Sequence, residues 1–272
     1  MHSPHQRLQP FRRGLPYLLR MNRSRAHLVS KAFLAIAAFL LIVPFARAEE
    51  TPLRVAEITI GAGGGDVRAT VFEPARAARR PVILVLHGAG GMIFDGPEMR
   101  RLSRHLAGEG NAVYLLHYFN STGTPFALRG STMERHFETW RRTVMDAIQE
   151  IQALERDRSP VGIYGYSLGA FLALFAASDN PRVGAVVEHA GGVWNDKFDR
   201  LGRLPAVLMI HGERDTRVPF RQYAQAAVKP LRKRSSRVET RFFPAEDHGF
   251  SAAAMRSVRE DAAAFFAKWL RE

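Results

Sequence analysis

The chain has 272 residues with 39 basic and 26 acidic side chains, a formal net charge of +13, and no cysteine. Hydrophobic residues make up 46% and charged residues 24%, which is typical of a globular protein and excludes wholesale disorder. The absence of cysteine excludes a disulfide scaffold, a thiolate metal site and a cysteine nucleophile. Such a positive charge would indicate a nucleic-acid or anionic-membrane partner if it lay on the folded domain.

The N-terminal segment carries much of this charge. Residues 1–48 contain eight basic residues and no acidic one, so the rest of the chain has a net charge of only +5. A basic cluster at 229–237 is interpreted as a solvated helix end and loop. The charge distribution therefore predicts no nucleic-acid partner.

The same segment has the pattern of a secretory signal peptide. An uncharged apolar run at 32–45 follows basic residues and precedes Ala46-Arg47-Ala48, a small-x-small cleavage site. The run is shorter than the roughly 20 residues of a membrane span. We predict cleavage after Ala48, with Met21 as a possible start, and export to the periplasm or the medium without a stable membrane span. An uncleaved signal anchor is the alternative.

Residues 49–272 alternate strand and helix patterns and are predicted to form a single domain. Strands are predicted at 54–60, 67–72, 82–86, 112–116, 161–166, 183–188, 206–210 and 237–243, and helices at 97–107, 131–155, 168–177, 220–231 and 252–270. The first two strands are expected to form an antiparallel hairpin with a loose glycine-rich turn. The alternation predicts an α/β fold with a mostly parallel sheet covered on both faces, and reactive groups beyond the carboxyl ends of its strands.

The motif Gly165-Tyr166-Ser167-Leu168-Gly169 joins a predicted strand to a predicted helix. This is the context of a nucleophile elbow, in which a sharp turn exposes the serine hydroxyl and small neighbours avoid backbone collisions. Ser167 is therefore the candidate nucleophile. The Leu168 N–H, at the start of the helix, is a candidate oxyanion donor.

A serine nucleophile needs a base, and the base needs an acid, in the chain order serine, acid, histidine. Asp215 and His248 follow predicted strands in that order and complete the candidate triad. Glu213 is the alternative acid. Asp247 is expected to point away or to cap the next helix. His189 follows a strand but lies between the serine and the acid, which is the wrong order for the base. Three other histidines that follow strands are interpreted as structural: His87, His117 and His211.

The loop after the strand at 82–86 reads His87-Gly88-Ala89-Gly90-Gly91 and is expected to supply the second oxyanion donor, from Ala89 or else from Gly90. A polar and aromatic loop at 117–130 follows the next strand. In it, Tyr118, Phe119 and Phe126 are candidates to line the substrate pocket. The alternative is that these three rings pack the loop.

Four ordered motifs, HGAGG, GYSLG, HGERDTRVP and EDHGF, resemble those of the α/β-hydrolase superfamily and, within it, the dienelactone hydrolase family. The resemblance covers residues from about 67 to 270. It implies a roughly eight-stranded, mostly parallel sheet and a Ser167–Asp215–His248 triad. Members of that family typically carry cysteine at the elbow, where this chain has Ser167, so the site also resembles those of serine esterases and peptidases on this scaffold.

These observations predict an exported serine hydrolase that cleaves carboxylic ester or lactone bonds through an acyl-enzyme. Its partner is a small-molecule ester or lactone, and its mechanism needs neither a metal nor an organic cofactor. Two alternatives stay open: a small peptidase of the prolyl-oligopeptidase type, and a catalytically silent binding protein on the same scaffold.

Overall fold

A computed structural model describes residues 52–75 and 80–271. The predicted signal peptide and its cleavage site lie outside these residues. Eight strands form one sheet in the order β1-β2-β4-β3-β5-β6-β7-β8. They are β1 Leu53–Ala62, β2 Gly65–Pro74, β3 Val82–Leu86, β4 Ala112–Leu116, β5 Val161–Tyr166, β6 Val183–His189, β7 Ala206–Gly212 and β8 Val238–Phe243.

β2 pairs antiparallel with both β1 and β4, and the other neighbours in the sheet are parallel. The predicted α/β fold with an eight-stranded, mostly parallel sheet is confirmed. The described helices are α1 Gly91–Phe94, α2 Gly96–Gly108, α3 Gly130–Leu154, α4 Leu168–Ala177, α5 Ala226–Arg232 and α6 Ala252–Leu270. None of them combines the length and the apolar character that a membrane-spanning helix requires.

The central strands bury both faces, which explains their continuous apolar sequences. In β3, Leu84 and Leu86 pack with residues of α3, α4 and α5, whereas Ile83 and Val85 pack with residues of α2 and α6. In α3, Trp140, Val144, Ile148 and Ile151 are fully buried at three- and four-residue steps, the spacing of one face of an amphipathic helix. The sheet therefore lies between two helical layers.

The β1–β2 hairpin has a tight turn, and the prediction of a loose one was wrong. Ala62 pairs with Gly65, which leaves Gly63 and Gly64 as a two-residue turn with φ of +65° and +80°. A type I′ turn requires positive φ at both central positions, which glycine adopts without strain. The Gly63 N–H also donates to Asp146 Oδ2 at 3.0 Å, which ties the turn to α3.

The predicted helix at 220–231 is divided in two. Residues Arg221–Gln225 form a wider π turn, and α5 follows from Ala226 and contains Pro230. Pro230 has no N–H and so donates no backbone hydrogen bond within this helix. The sequence patterns did not indicate the short helix α1 or the 3₁₀ turn at Tyr118–Thr122.

Candidate active site

The loops after four strands meet at one edge of the sheet. Ser167 follows β5, the segment 87–91 follows β3, Asp215 follows β7 and His248 follows β8. Because β8 is separated from β5 by two strands, the loop that carries His248 must cross the ends of β7 and β6. The Tyr166 hydroxyl donates to the His248 carbonyl at 3.1 Å, which anchors this loop beside the serine.

Three of the predicted site residues form one hydrogen-bonded chain. His248 Nδ1 lies 2.8 Å from Asp215 Oδ2, and His248 Nε2 lies 3.0 Å from Ser167 Oγ. A carboxylate only accepts hydrogen bonds, so Nδ1 carries the proton and Nε2 is left to accept the one from the serine hydroxyl. This is the arrangement that a general base requires.

Ser167 has the strained backbone of an elbow, with φ of +53° and ψ of −118°. The turn is possible because Gly165 and Gly169, two residues before and after Ser167, have no side chain. A Cβ at Gly165 would collide with the Gly169 carbonyl oxygen, and one at Gly169 would lie 2.5 Å from the Leu86 carbonyl oxygen. The Ser167 N–H donates to the His189 carbonyl at 2.8 Å, which ties the elbow to β6.

Asp215 is buried, and its two oxygens have separate functions. Oδ1 accepts the N–H groups of Arg217 and Val218 at 2.9 and 2.8 Å, whereas Oδ2 faces His248. Burial alone would raise the pKa of this carboxyl, but hydrogen bonds from His211, His248 and the Val218 amide hold the pKa well below its usual range. The group therefore stays ionised at neutral pH. The alternative acid, Glu213, is exposed.

Asp247 does not cap the following helix, so that part of the prediction was wrong. Its Oδ1 accepts the N–H groups of Thr216 and His248 at 3.1 and 2.7 Å, which holds the acid and histidine loops together. The cap of α6 is Ser251, whose hydroxyl accepts the Ala254 N–H at 3.3 Å. Asp247 therefore positions the backbone of His248 from the adjacent position in the chain.

The oxyanion candidates come from two segments near Ser167. Leu168 begins α4, and the ideal Cβ position at Gly88 lies 3.0 Å from Ser167 Cβ, so the 88–90 loop approaches the elbow closely. The Gly90 amide interacts with the Asp95 carboxylate. The Ala89 carbonyl accepts the Ala127 N–H at 2.8 Å, which fixes that peptide against the 117–130 loop.

The structure favours the packing alternative for two of the three predicted pocket residues. Tyr118 and Phe119 are 0% and 3% exposed, so their rings have no surface to offer a substrate. Tyr118 stacks on His87 at 4.2 Å between ring centroids, and its hydroxyl donates to the His87 carbonyl at 2.8 Å. Phe126 is 44% exposed and lies beside Phe94, so it alone of the three faces solvent.

Three of the four histidines that were set aside as candidate bases are held in the core. Burial lowers the pKa of His87 and of His117 to about 4, and that of His189 to about 3, so all three are neutral at neutral pH. His189 Nδ1 lies 2.6 Å from the Tyr164 hydroxyl. None of these three reaches the Ser167 hydroxyl by a hydrogen bond in the described part of the chain, which agrees with the sequence interpretation.

His211, the fourth, is part of the site, and sequence reasoning missed this. Its Nε2 lies 2.8 Å from the Val218 carbonyl oxygen and 3.2 Å from Asp215 Oδ2. Burial would lower the pKa of His211, but the hydrogen bond to Asp215 and the nearby charge of Glu188 raise it. Glu188 is fully buried at the end of β6, accepts the Gly191 N–H at 2.7 Å, and has its pKa raised by burial to about 7.

Asp95 is a second residue that the motifs did not indicate. It immediately precedes α2. Its carboxylate lies beside the 88–90 loop, and its Oδ2 has no hydrogen-bond partner among the described residues. Burial raises the pKa of this carboxyl, opposed by the amides of Gly90 and Gly88 and by the charges of His248 and Arg217. The only sequence signal was an acidic residue near the start of a predicted helix, which is common at helix starts in general.

A family model, "Dienelactone hydrolase family", matches residues 67–272. Among curated proteins, mouse mitochondrial acyl-coenzyme A thioesterase 2 is 33% identical over 130 residues. This match spans 47% of the chain and only 26% of the mouse protein.

Solved structures show the same fold. A dienelactone hydrolase from Anabaena variabilis superposes with a TM-score of 0.62 at 19% identity, covering 80% of this chain and 99% of that one. A dienelactone hydrolase-like promiscuous phosphotriesterase from metagenomic libraries gives 0.66 at 18% identity, covering 80% and 98%. At these identities the likeness concerns the fold alone.

Proposed function

The chain belongs to the dienelactone hydrolase family, and we propose that it is an exported serine hydrolase that cleaves carboxylic ester or lactone bonds through an acyl-enzyme. The observation that carries the proposal is the continuous hydrogen-bonded chain from Ser167 Oγ through His248 to the buried, ionised Asp215. A binding protein would have no need of a serine on a strained turn within reach of a histidine.

In the first step His248 Nε2 takes the Ser167 proton while Oγ attacks the ester carbonyl carbon. His248 then gives that proton to the departing alcohol oxygen, and the acyl group stays on Ser167. In the second step His248 takes a proton from water, whose oxygen attacks the acyl carbon, and returns it to Ser167. Asp215 keeps Nδ1 protonated and stabilises the cationic ring.

Both tetrahedral intermediates place negative charge on the former carbonyl oxygen. We assign its stabilisation to the Leu168 N–H at the start of α4 and to the Ala89 N–H in the loop after β3. Backbone donors fixed in place before the reaction need no reorganisation as the charge develops. Gly90 is the weaker candidate, because its amide already interacts with the Asp95 carboxylate.

Thioester hydrolysis is a second candidate, because the curated relative with 33% identity over 130 residues is an acyl-coenzyme A thioesterase. The same triad serves either bond, since a thioester differs only in its leaving group. A thiolate leaves with less need of a proton than an alkoxide, so thioester cleavage would depend less on His248 as a proton donor. Comparing the rates at which the protein hydrolyses oxygen esters and thioesters therefore distinguishes the two candidate functions.

The test is covalent labelling combined with turnover. The chain from residue 49 onward is incubated with a fluorophosphonate probe and assayed on nitrophenyl butyrate, butyryl-coenzyme A and a nitroanilide peptide, beside Ser167→Ala and the control Ser131→Ala, an exposed serine at the start of α3. We expect labelling and ester turnover in the wild type and the control, and neither in Ser167→Ala. Labelling that persists in Ser167→Ala contradicts the nucleophile, and faster cleavage of the peptide contradicts the esterase assignment.

A further inference from the structure

Exposed apolar side chains are concentrated on two adjoining segments of the described chain. Four of the large hydrophobic residues that the described part of the chain exposes lie there: Ile93, Phe94, Phe126 and Leu128. The first two are adjacent in α1, and the other two lie near the end of the 117–130 loop. We call these four residues the apolar patch. Single exposed hydrophobic residues are normal on a protein surface, whereas a concentration of them marks an interaction site.

The two segments of the apolar patch are in contact. The rings of Phe94 and Phe126 meet edge to face with their centroids 6.0 Å apart. Ala127 is buried between two exposed neighbours, and its N–H donates to the Ala89 carbonyl at 2.8 Å. This hydrogen bond holds the loop against the segment after β3 and leaves Phe126 and Leu128 facing solvent.

The apolar patch borders the loop that approaches the candidate nucleophile. The ideal Cβ position at Gly90 lies 2.9 Å from Phe94 Cβ, and the one at Gly88 lies 3.0 Å from Ser167 Cβ. The 88–90 loop therefore touches the patch at one end and the elbow at the other. Anything that covered the patch would lie beside the serine and its candidate oxyanion donors.

The border of the apolar patch is basic. The segments 87–94 and 117–133 contain no acidic residue. Arg129, which directly follows the patch, is exposed and makes no ion pair within the described ranges. Farther along, Glu134 and Arg135 are both exposed and contribute opposite charges. An apolar patch with a basic border is complementary to a lipid surface that carries anionic headgroups.

The carboxylates that follow the patch in the chain do not reverse this charge. Asp95 comes directly after Phe94, but its carboxylate lies against the 88–90 loop and its Oδ2 has no accessible surface. Glu98, one turn later, binds Arg259 at 2.6 Å and Arg101 at 3.2 Å. Neither carboxylate therefore presents an unpaired charge to an approaching anionic surface.

The size of the patch favours a lipid surface over a second copy of the chain. Four side chains of this size, each roughly half exposed, present on the order of 400 Å². A stable interface between two proteins buries about 800 Å² on each partner. Binding to a lipid surface needs no complementary partner, because it increases with the apolar area inserted and with the attraction of the headgroups.

We propose that the apolar patch docks the protein onto a lipid surface with anionic headgroups, and that its substrates are esters held in such a surface. The docking does not depend on catalysis, whereas the substrate class rests on the ester hydrolysis proposed above. The inserted side chains hold the 88–90 loop and Ser167 against the surface from which the ester enters.

The test is co-sedimentation with vesicles of phosphatidylcholine alone or mixed equally with phosphatidylglycerol. It uses the chain from residue 49 onward, which contains every described residue and omits the apolar run at 32–45. We expect the wild type to bind the mixed vesicles more tightly than the neutral ones. Ile93→Ser combined with Leu128→Ser should weaken this binding by about tenfold or more, because two inserted aliphatic side chains are lost. Ser167→Ala should bind as the wild type does.

The chain offers a matched control on other elements. Val55 in β1 and Leu154 at the end of α3 are also exposed, at 41% and 58%, beside 58% for Ile93 and 60% for Leu128. Val55→Ser combined with Leu154→Ser should stay within about twofold of the wild type in vesicle binding. An equal loss in both double variants would indicate general adhesion and overturn the proposal, as would the absence of binding by the wild type.

Two further measurements identify what covers the patch. Arg129→Gln should lower the affinity for the mixed vesicles about fivefold and leave that for neutral vesicles unchanged. An equal loss on both kinds of vesicle contradicts the role of anionic headgroups. In sedimentation velocity without lipid, a dimer that dissociates in Ile93→Ser combined with Leu128→Ser would assign the patch to a second copy and overturn the proposal.

Turnover connects the docking to the substrate class. The rate on emulsified tributyrin, divided by the rate on soluble nitrophenyl acetate, should fall about tenfold in Ile93→Ser combined with Leu128→Ser. The same ratio should persist in Val55→Ser combined with Leu154→Ser, and an unchanged ratio in the patch variant contradicts the substrate class. Vesicle binding without ester turnover leaves the docking intact and contradicts the proposed hydrolase, whereas turnover without vesicle binding does the reverse.

Discussion

His211 Nε2 lies 3.2 Å from Asp215 Oδ2, the same carboxylate oxygen that His248 Nδ1 reaches at 2.8 Å. The acid of the candidate triad therefore faces two histidines. Of the two, only His248 also reaches a hydroxyl that can act as a nucleophile. His211 instead contacts the Val218 carbonyl, which fixes it to the acid loop and makes it a positioning residue.

Replacing His211 by Gln should lower kcat by about tenfold with little change in KM, because an interaction that orients the base acts mainly in the transition state. The measurement is steady-state turnover of a nitrophenyl ester across pH. Removing the His211 hydrogen bond should also raise the pKa of Asp215, which the hydrogen bonds from His248 and the Val218 amide still hold low. His117→Gln is the control. The Nε2 atom of this buried histidine lies 3.1 Å from the Thr70 hydroxyl, a contact outside the candidate triad. An equal effect of both variants would mean that His211 serves only the core.

Replacing Asp215 by Asn should lower kcat by roughly 10³- to 10⁴-fold, because the amide no longer keeps His248 in the productive tautomer. Fluorophosphonate labelling rates and ester turnover measure the loss. Glu213→Gln is the matched variant in the same loop. Its side chain is exposed, so its activity should stay near the wild-type value. A larger loss in Glu213→Gln than in Asp215→Asn would reverse the assignment of the acid.

Glu188 should make stability depend on pH near neutrality. Burial raises its folded pKa from 4.5 to about 7, so the folded state binds the proton more tightly than the unfolded state. The resulting stabilisation is fully present below the unfolded pKa and is lost as pH rises through about 7. Between pH 5 and 8 the unfolding free energy should fall, relative to that of Glu188→Gln, by up to roughly 3 kcal/mol.

Denaturant unfolding of the wild type and Glu188→Gln at pH 5, 6, 7 and 8 measures that difference. The amide retains an acceptor for the Gly191 N–H, so the variant isolates the effect of charge. A difference that stays constant over this range would show that Glu188 is ionised throughout, with its charge balanced by His211.

The predicted signal peptide implies a defined N-terminus for the mature protein. When the full chain is expressed with an active secretion system, the exported protein should begin at Glu49, because the small-x-small site ends at Ala48. N-terminal sequencing of the extracytoplasmic fraction measures this. Protein retained in the membrane fraction with residues 32–45 intact would instead support the signal anchor.

The sequence predicted the features that depend on local pattern. The bounds of β5, α4 and α6 agree with the predicted 161–166, 168–177 and 252–270, because each has a strong apolar pattern and a clear start or stop. The elbow was predictable for the same reason. The spacing of Gly165, Ser167 and Gly169 encodes its steric requirement within five residues.

Features that depend on distant contacts were not predictable. His211 and His248 both follow predicted strands, and only the folded sheet shows that both contact Asp215. Tyr118 belongs to a polar loop in sequence, yet its ring stacks on His87 in the core. The importance of Asp95 comes from its approach to the 88–90 loop, which no pattern in the chain expresses.

The position of His248 after the last strand of the chain has a consequence for biosynthesis. The last member of the candidate triad, His248, reaches its place only after β8 has paired with β7 at the edge of the sheet. The hydroxyl of Tyr166, at the end of the central strand β5, then donates a hydrogen bond to the His248 carbonyl. A chain whose C-terminal strand has not yet docked therefore contains the Ser167 elbow without the histidine that faces it in the folded structure. Such a chain is expected to be inactive until its C-terminal strand and helix have docked.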